Sequence, residues 1–133
     1  QGGVMGFCMG GRFAVLYASQ APVQVVAPFY GGIPKNVKDV TGICPAVGGW
    51  GRTDMIYGDH GDRLAKHMDA LGVPHDIKTY EDVGHSFMND HQAFPFKKLG
   101  PLPPLRSKFD AVASEDSWKR VLAFFEKVFA GKI

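Results

Sequence analysis

Short apolar runs and helix-period stretches alternate along this chain, with Gly and Pro at the joints between them. Val4 to Phe7 reads as the end of a strand. From Met9 to Ser19 the apolar residues Met9, Phe13, Leu16 and Tyr17 recur at i, i+4, i+7 and i+8, which predicts a helix with these four on one face. Val23 to Phe29 is β-branched and apolar, the pattern of a buried strand, and Tyr30-Gly31-Gly32-Ile33-Pro34 breaks it. Residues 35 to 42 form a polar loop, and Cys44 to Trp50 gives a third strand. Asp59 or Asp62 caps a second helix with Leu64, Met68 and Leu71 facing inward, and Gly72 ends it. His75 to Tyr80 alternates as a fourth strand. Four prolines, Pro95, Pro101, Pro103 and Pro104, exclude regular structure from much of the stretch from Glu81 to Ala113. Ser114 then caps a last helix with the stripe Trp118, Val121, Leu122, Phe125, Val128 and Phe129.

This order of elements predicts an α/β fold, a mostly parallel sheet of about four strands flanked by helices. Sites in such sheets lie beyond the carboxyl ends of the strands, so the loops that matter begin near residues 7, 29, 50 and 80. A length of 133 residues allows one domain. The net charge of +2, without a block of like charges, argues against nucleic acid or a membrane surface as partner and leaves small molecules. No apolar stretch approaches the ~20 residues of a membrane span, and the expected location is cytoplasmic. The two cysteines, Cys8 and Cys44, make no disulfide framework and are read as single thiols.

Chemistry concentrates after three of the strands. Gly6-Phe7-Cys8-Met9-Gly10-Gly11 has the form Gly-x-nucleophile-x-Gly, with Cys at the nucleophile position. A helix N-terminus lowers the pKa of a thiol, and the backbone N–H of Met9 is placed to donate to an oxyanion. The alternative is a buried Cys in a glycine-rich turn. Asp54 follows the third strand, and His85, in Val83-Gly84-His85-Ser86-Phe87, follows the fourth. Nucleophile, acid and histidine thus occur in the chain order of α/β-hydrolases. His85 would hold the proton of Cys8 and Asp54 would orient the ring, with pairing to Arg52 as the alternative for Asp54 and Asp59, Asp62 and Asp82 as rival acids. His60, His67, His75 and His91 are expected on the surface, and Cys44 as a small buried apolar residue. No ligand spacing predicts a metal, and no cofactor is expected.

The elbow around Cys8, Tyr30-Gly31-Gly32, Asp54, the run from Val83 to Asp90, and the helix containing Glu115 to Phe125 together resemble the dienelactone hydrolase family of α/β-hydrolases. The resemblance runs over nearly the whole chain. It implies a cysteine hydrolase acting on a small ester or lactone through a thioester acyl-enzyme, with Cys8, Asp54 and His85 as its triad and with Phe7, Ser86 and Phe87 near the substrate. Members that hydrolyse dienelactone carry an arginine shortly after the triad histidine to bind the substrate's carboxylate; the matching position here is Asn89.

Such domains run to roughly 200 to 250 residues. The chain opens at Gln1 without an initiator Met and enters a strand within five residues, so it is expected to be a partial domain, the C-terminal half of the fold. The loop that supplies a second oxyanion donor would precede it. Two other readings follow. A non-catalytic or weakly active half-domain would pair, through its exposed sheet edge, as a homodimer or with a complementing chain. A low-pKa, exposed Cys8 would also suit a redox-sensitive thiol.

Overall fold

The computed structural model describes residues 2–90 and 96–133. Four strands, β1 (Gly3–Phe7), β2 (Val25–Phe29), β3 (Ala46–Gly51) and β4 (His75–Tyr80), form one parallel sheet in the order β1-β2-β3-β4. Between them lie α1 (Met9–Ala18), a single 3-10 turn over Val37–Val40 capped by the Asn36 side chain, and α2 (His60–Leu71); α3 (Phe96–Leu99) and α4 (Ala111–Phe129) follow. Central β2 and β3 are buried along their whole length, which is why they read as continuous apolar or small-residue runs. The pairings Phe7 with Phe29, Phe29 with Gly49, and Gly51 with Tyr80 bring the four carboxyl ends level, so the loops that leave them converge on one edge.

Helix α1 packs on β1 and β2, α2 on β3 and β4, and α4 on β2, β3 and β4. The core of α2 is as the pattern predicts, with Leu64 and Met68 fully buried and Gly72 in the left-handed conformation at its end. Two helices depart from the pattern. In α1 the buried residues are Gly11, Ala14, Val15 and Ala18, whereas Met9, Phe13 and Tyr17 are 70%, 60% and 56% exposed. The cause is the close approach of the helix to the sheet. A Cβ on Gly11 would lie 2.8 Å from the carbonyl oxygen of Phe29, so only small residues fit beneath the helix and the large ones turn outward.

Helix α4 begins one turn earlier than expected, because Asp110 rather than Ser114 is its N-cap and accepts from the N–H of Ala113 at 2.8 Å. Ser114 and Ser117 are buried inside the helix, together with Ala113, Val121 and Phe124, while Trp118 and Leu122 of the expected stripe are 44% and 67% exposed. Tyr80 on the sheet explains part of this phase: its hydroxyl bonds Ser117 Oγ at 2.9 Å and Asp116 at 2.7 Å, which turns that face inward. Among the described residues no helix is long and apolar enough to cross a membrane.

Candidate active site

Cys8 sits at the turn between β1 and α1 with φ 55° and ψ −123°, a conformation L residues seldom adopt, and its side chain is thrust out at the head of the helix. The glycines around it are there for space. A Cβ on Gly6 would run into the Gly10 carbonyl, and one on Gly31 would lie 2.7 Å from the Cys8 carbonyl oxygen. The Cys8 N–H donates to Phe29 O at 3.0 Å, tying the elbow to the end of β2.

The structure brings the three sequence-predicted groups to this edge. Asp54 is 3% exposed; its Oδ1 accepts from the N–H groups of Ile56 and Tyr57 at 2.9 and 3.0 Å, and its Oδ2 lies 2.8 Å from His85 Nδ1. Arg52 pairs instead with Asp62 and Glu81, so it does not compete for Asp54. His85 is buried and its main chain is clamped: its N–H donates to Leu105 O at 3.0 Å and its carbonyl accepts from Lys108. The irregular stretch after β4 therefore positions the imidazole. Ser86, also at positive φ, places its Oγ 3.3 Å from Cys8 Sγ.

Burial pushes the Cys8 thiol up, but hydrogen bonds from His85 and Ser86 and the His85 charge outweigh it, leaving the thiol below its usual value. Burial acts on His85 in the opposite sense, favouring the neutral ring. The bonds to Asp54 and Cys8 prevail and raise His85 to about 9. The two shifts share one origin, since each group favours the charged form of the other, with Asp54 supporting the charged ring. Cys44 differs: burial lifts its thiol to about 11, which makes it inert.

A cavity of about 550 Å³ opens in front of the pair, lined by Cys8, Met9, Arg12, Gly32, Tyr57, His60, His85 and Leu105. Of the residues expected near substrate, only Cys8, His85 and Met9 belong to this wall. Phe87 is fully buried in the core against Tyr30 and Tyr80, and Phe7 packs on Phe29 and Tyr30. Asn89 accepts the Tyr30 hydroxyl through its side-chain oxygen.

The expected surface histidines need correction. His67 is buried, with Nε2 2.7 Å from Pro34 O, and His60 Nδ1 accepts the N–H of Ile33 at 2.8 Å. With Arg63 donating to Ile33 O at 2.7 Å, α2 pins the loop after β2 from three positions. His75 is half-buried against Val73 O, and His91 lies outside the described residues. No local pattern marks Tyr57, His60 or Leu105 as site residues; they meet only because their loops share one sheet edge.

Comparison with known proteins agrees with this architecture. The profile of the dienelactone hydrolase family matches residues 1–129. The chain belongs to the dienelactone hydrolase family. Among curated members, it is similar to a carboxymethylenebutenolidase of Rhodococcus opacus, 34% identical over 94% of this chain and 49% of that protein. It is also similar to the protein usf of Aquifex pyrophilus, 28% identical over 94% and 50%. A dienelactone hydrolase-like promiscuous phosphotriesterase from metagenomic libraries shares the fold, with a TM-score of 0.74 at 20% identity over 95% of this chain and 52% of that one. So does an alpha/beta hydrolase enzyme from a Medee basin deep-sea metagenome library, with a TM-score of 0.63 at 12% identity over 94% and 52%. The chain spans about half the length of the curated relatives it matches.

Proposed function

We propose that this chain carries the reacting groups of a cysteine-dependent hydrolase that cleaves a small ester or lactone through a thioester acyl-enzyme. The observation that carries the reading is that Cys8 and His85 share the wall of the 550 Å³ cavity, with Asp54 bonded to His85 from behind and Cys8 in a strained turn at a helix N-terminus.

The chemistry runs in two steps. The Cys8 thiolate attacks the carbonyl carbon, forming a C–S bond, and the negative charge passes to the carbonyl oxygen, to which the Met9 N–H donates. As the tetrahedral species collapses, the C–O bond breaks and the leaving alkoxide takes the proton from His85 Nε2, the ring nitrogen not held by Asp54. Neutral His85 then takes a proton from water as that water attacks the thioester. The C–S bond breaks, the carboxylic acid leaves and the thiolate–imidazolium pair is restored.

The pH dependence follows from the signs of the two shifts. Rising pH first ionises Cys8 at a value below the usual 9 and creates the nucleophile; rising further through about 9, it removes the His85 proton that the leaving group needs. The kcat/KM for an alkyl ester, whose alkoxide leaves only with a proton, is expected to fall on the acid side as Cys8 is protonated and again on the basic side near 9, whereas a p-nitrophenyl ester, which reports acylation by a burst equal to the enzyme concentration, keeps only the acid limb. A rate that climbs in proportion to hydroxide, without a burst, would remove the reading.

The exposed stripe of Met9, Phe13 and Tyr17 supports a second reading, about partners. Together with β1, an edge strand among the described residues, it suits a second copy of this chain. Sedimentation equilibrium is expected to show concentration-dependent dimers that Phe13→Glu abolishes. A wild-type chain that stays monomeric throughout would count against it.

A further inference from the structure

We propose that a groove between α2 and the stretch after β2, separate from the Cys8 cavity, binds a small molecule through a diphosphate group. The groove has a volume of about 870 Å³ and shares no lining residue with the Cys8 cavity. That size falls within the range of roughly 300 to 1,000 Å³ usual for small-molecule sites. Lys35 stands on one wall, and Arg63, Lys66 and His67 stand on the other, which is α2.

The balance of charge points to an anion. Lys35 and Lys66 are exposed, and among the described residues neither has a carboxylate within ion-pairing distance. Lys66 lies four residues after Asp62, a spacing at which helices often pair opposite charges, but Asp62 is turned to Arg52 at 2.8 Å and to Thr79. Arg63 donates from Nη1 to Ile33 O at 2.7 Å, and among the described residues its other nitrogens make no hydrogen bond. Asp59, the other carboxylate of the wall, lies 3.9 Å from His60 Nε2 and is mostly exposed. Lys35, Arg63 and Lys66 thus outweigh Asp59 once Asp62 is neutralised by Arg52.

The arrangement of these cations favours two linked phosphates over one small anion. They come from two elements facing each other across the groove, and a diphosphate offers oxygens to both walls at once. Ammonium groups meet phosphate oxygens as point charges, and the free edge of a guanidinium meets them as a fork. Part of the groove is already fixed: buried His67 has its Nε2 2.7 Å from Pro34 O, and Arg63 is tethered to Ile33 O. These bonds hold α2 against the chain that leads into Lys35, so binding has chiefly the lysine side chains to order. No residue of the Cys8 cavity takes part, and the site is independent of the hydrolase reading.

Isothermal titration calorimetry of the full chain in about 0.1 M salt, with inorganic pyrophosphate, adenosine diphosphate and inorganic phosphate as probes, tests the site. Pyrophosphate is expected to bind with a Kd below about 1 mM and about tenfold more tightly than phosphate, and to weaken about tenfold in Lys35→Gln and in Lys66→Gln. Both side chains are exposed, so the variants should keep the circular dichroism of wild type. Lys119→Gln, at an exposed position on α4, is expected to bind as wild type does. Asp59→Asn is expected to tighten pyrophosphate severalfold, whereas Glu115→Gln, an equal change of net charge on α4, leaves it unchanged. Adenosine diphosphate binding more tightly than pyrophosphate would support a nucleoside diphosphate as the ligand, and weaker binding would support free diphosphate. No binding of either at millimolar concentration, phosphate binding as tightly as pyrophosphate, or a loss in Lys119→Gln equal to that in Lys35→Gln and Lys66→Gln would overturn the site.

Discussion

Cys8→Ala is expected to abolish the burst from a p-nitrophenyl ester and to lower kcat/KM by at least about ten-thousandfold. No other group in the cavity wall can replace the thiolate. Met9, Gly32 and Leu105 carry no nucleophile, Tyr57 is a phenol, and Ser86, 3.3 Å from the sulfur, is buried with its backbone held at φ 55°. The substitution should not unfold the protein, because Ala only removes a half-buried sulfur. Far-UV circular dichroism should therefore match wild type. Intact-mass spectra after ester incubation should show one acyl group on the wild-type chain and none on the variant. Equal turnover by the two proteins would mean that the hydrolysis arises elsewhere.

Asp54→Asn is expected to cost about a thousand- to ten-thousandfold in kcat. The hydrogen bonds set the direction of the effect. Asp54 Oδ1 accepts two peptide N–H groups, from Ile56 and Tyr57, so the amide oxygen of Asn must occupy that place. Its NH2 group then faces His85 Nδ1. That nitrogen becomes an acceptor, the ring proton moves to Nε2, and a neutral His85 can no longer take the proton of Cys8. The same exchange removes the main support of the imidazolium. In an NMR titration His85 should fall well below about 9, and the thiol of Cys8 should rise from its lowered value. An unchanged His85 titration would show that Asp54 does not hold the charge.

The legible parts of this protein are those where one residue type meets a local requirement. The four strands announce themselves by short apolar runs, and β2 and β3 do so most clearly because both of their faces are covered. The elbow is legible because its turn admits only glycine at Gly6, where any side chain meets the Gly10 carbonyl. His85 and Asp54 follow strand ends, and strand ends in a parallel sheet share an edge. Helix phase was less legible. Large apolar residues mark the buried face only where there is room for them, and the close contact of Gly11 with Phe29 reverses the rule in α1. In α4 the hydroxyl of Tyr80 draws Ser117 inward, a polar pairing that hydrophobic spacing cannot show.

The sequence by itself determined the sheet, the order of Cys8, Asp54 and His85 and the family, because each rests on spacing along the chain. Only the tertiary structure decided what surrounds those groups. His60 comes to the cavity from α2, Leu105 from the stretch beyond β4, and Arg12 from α1. Their meeting depends on loop paths and side-chain reach across the sheet edge, and contacts between residues so far apart leave no period or motif in the chain.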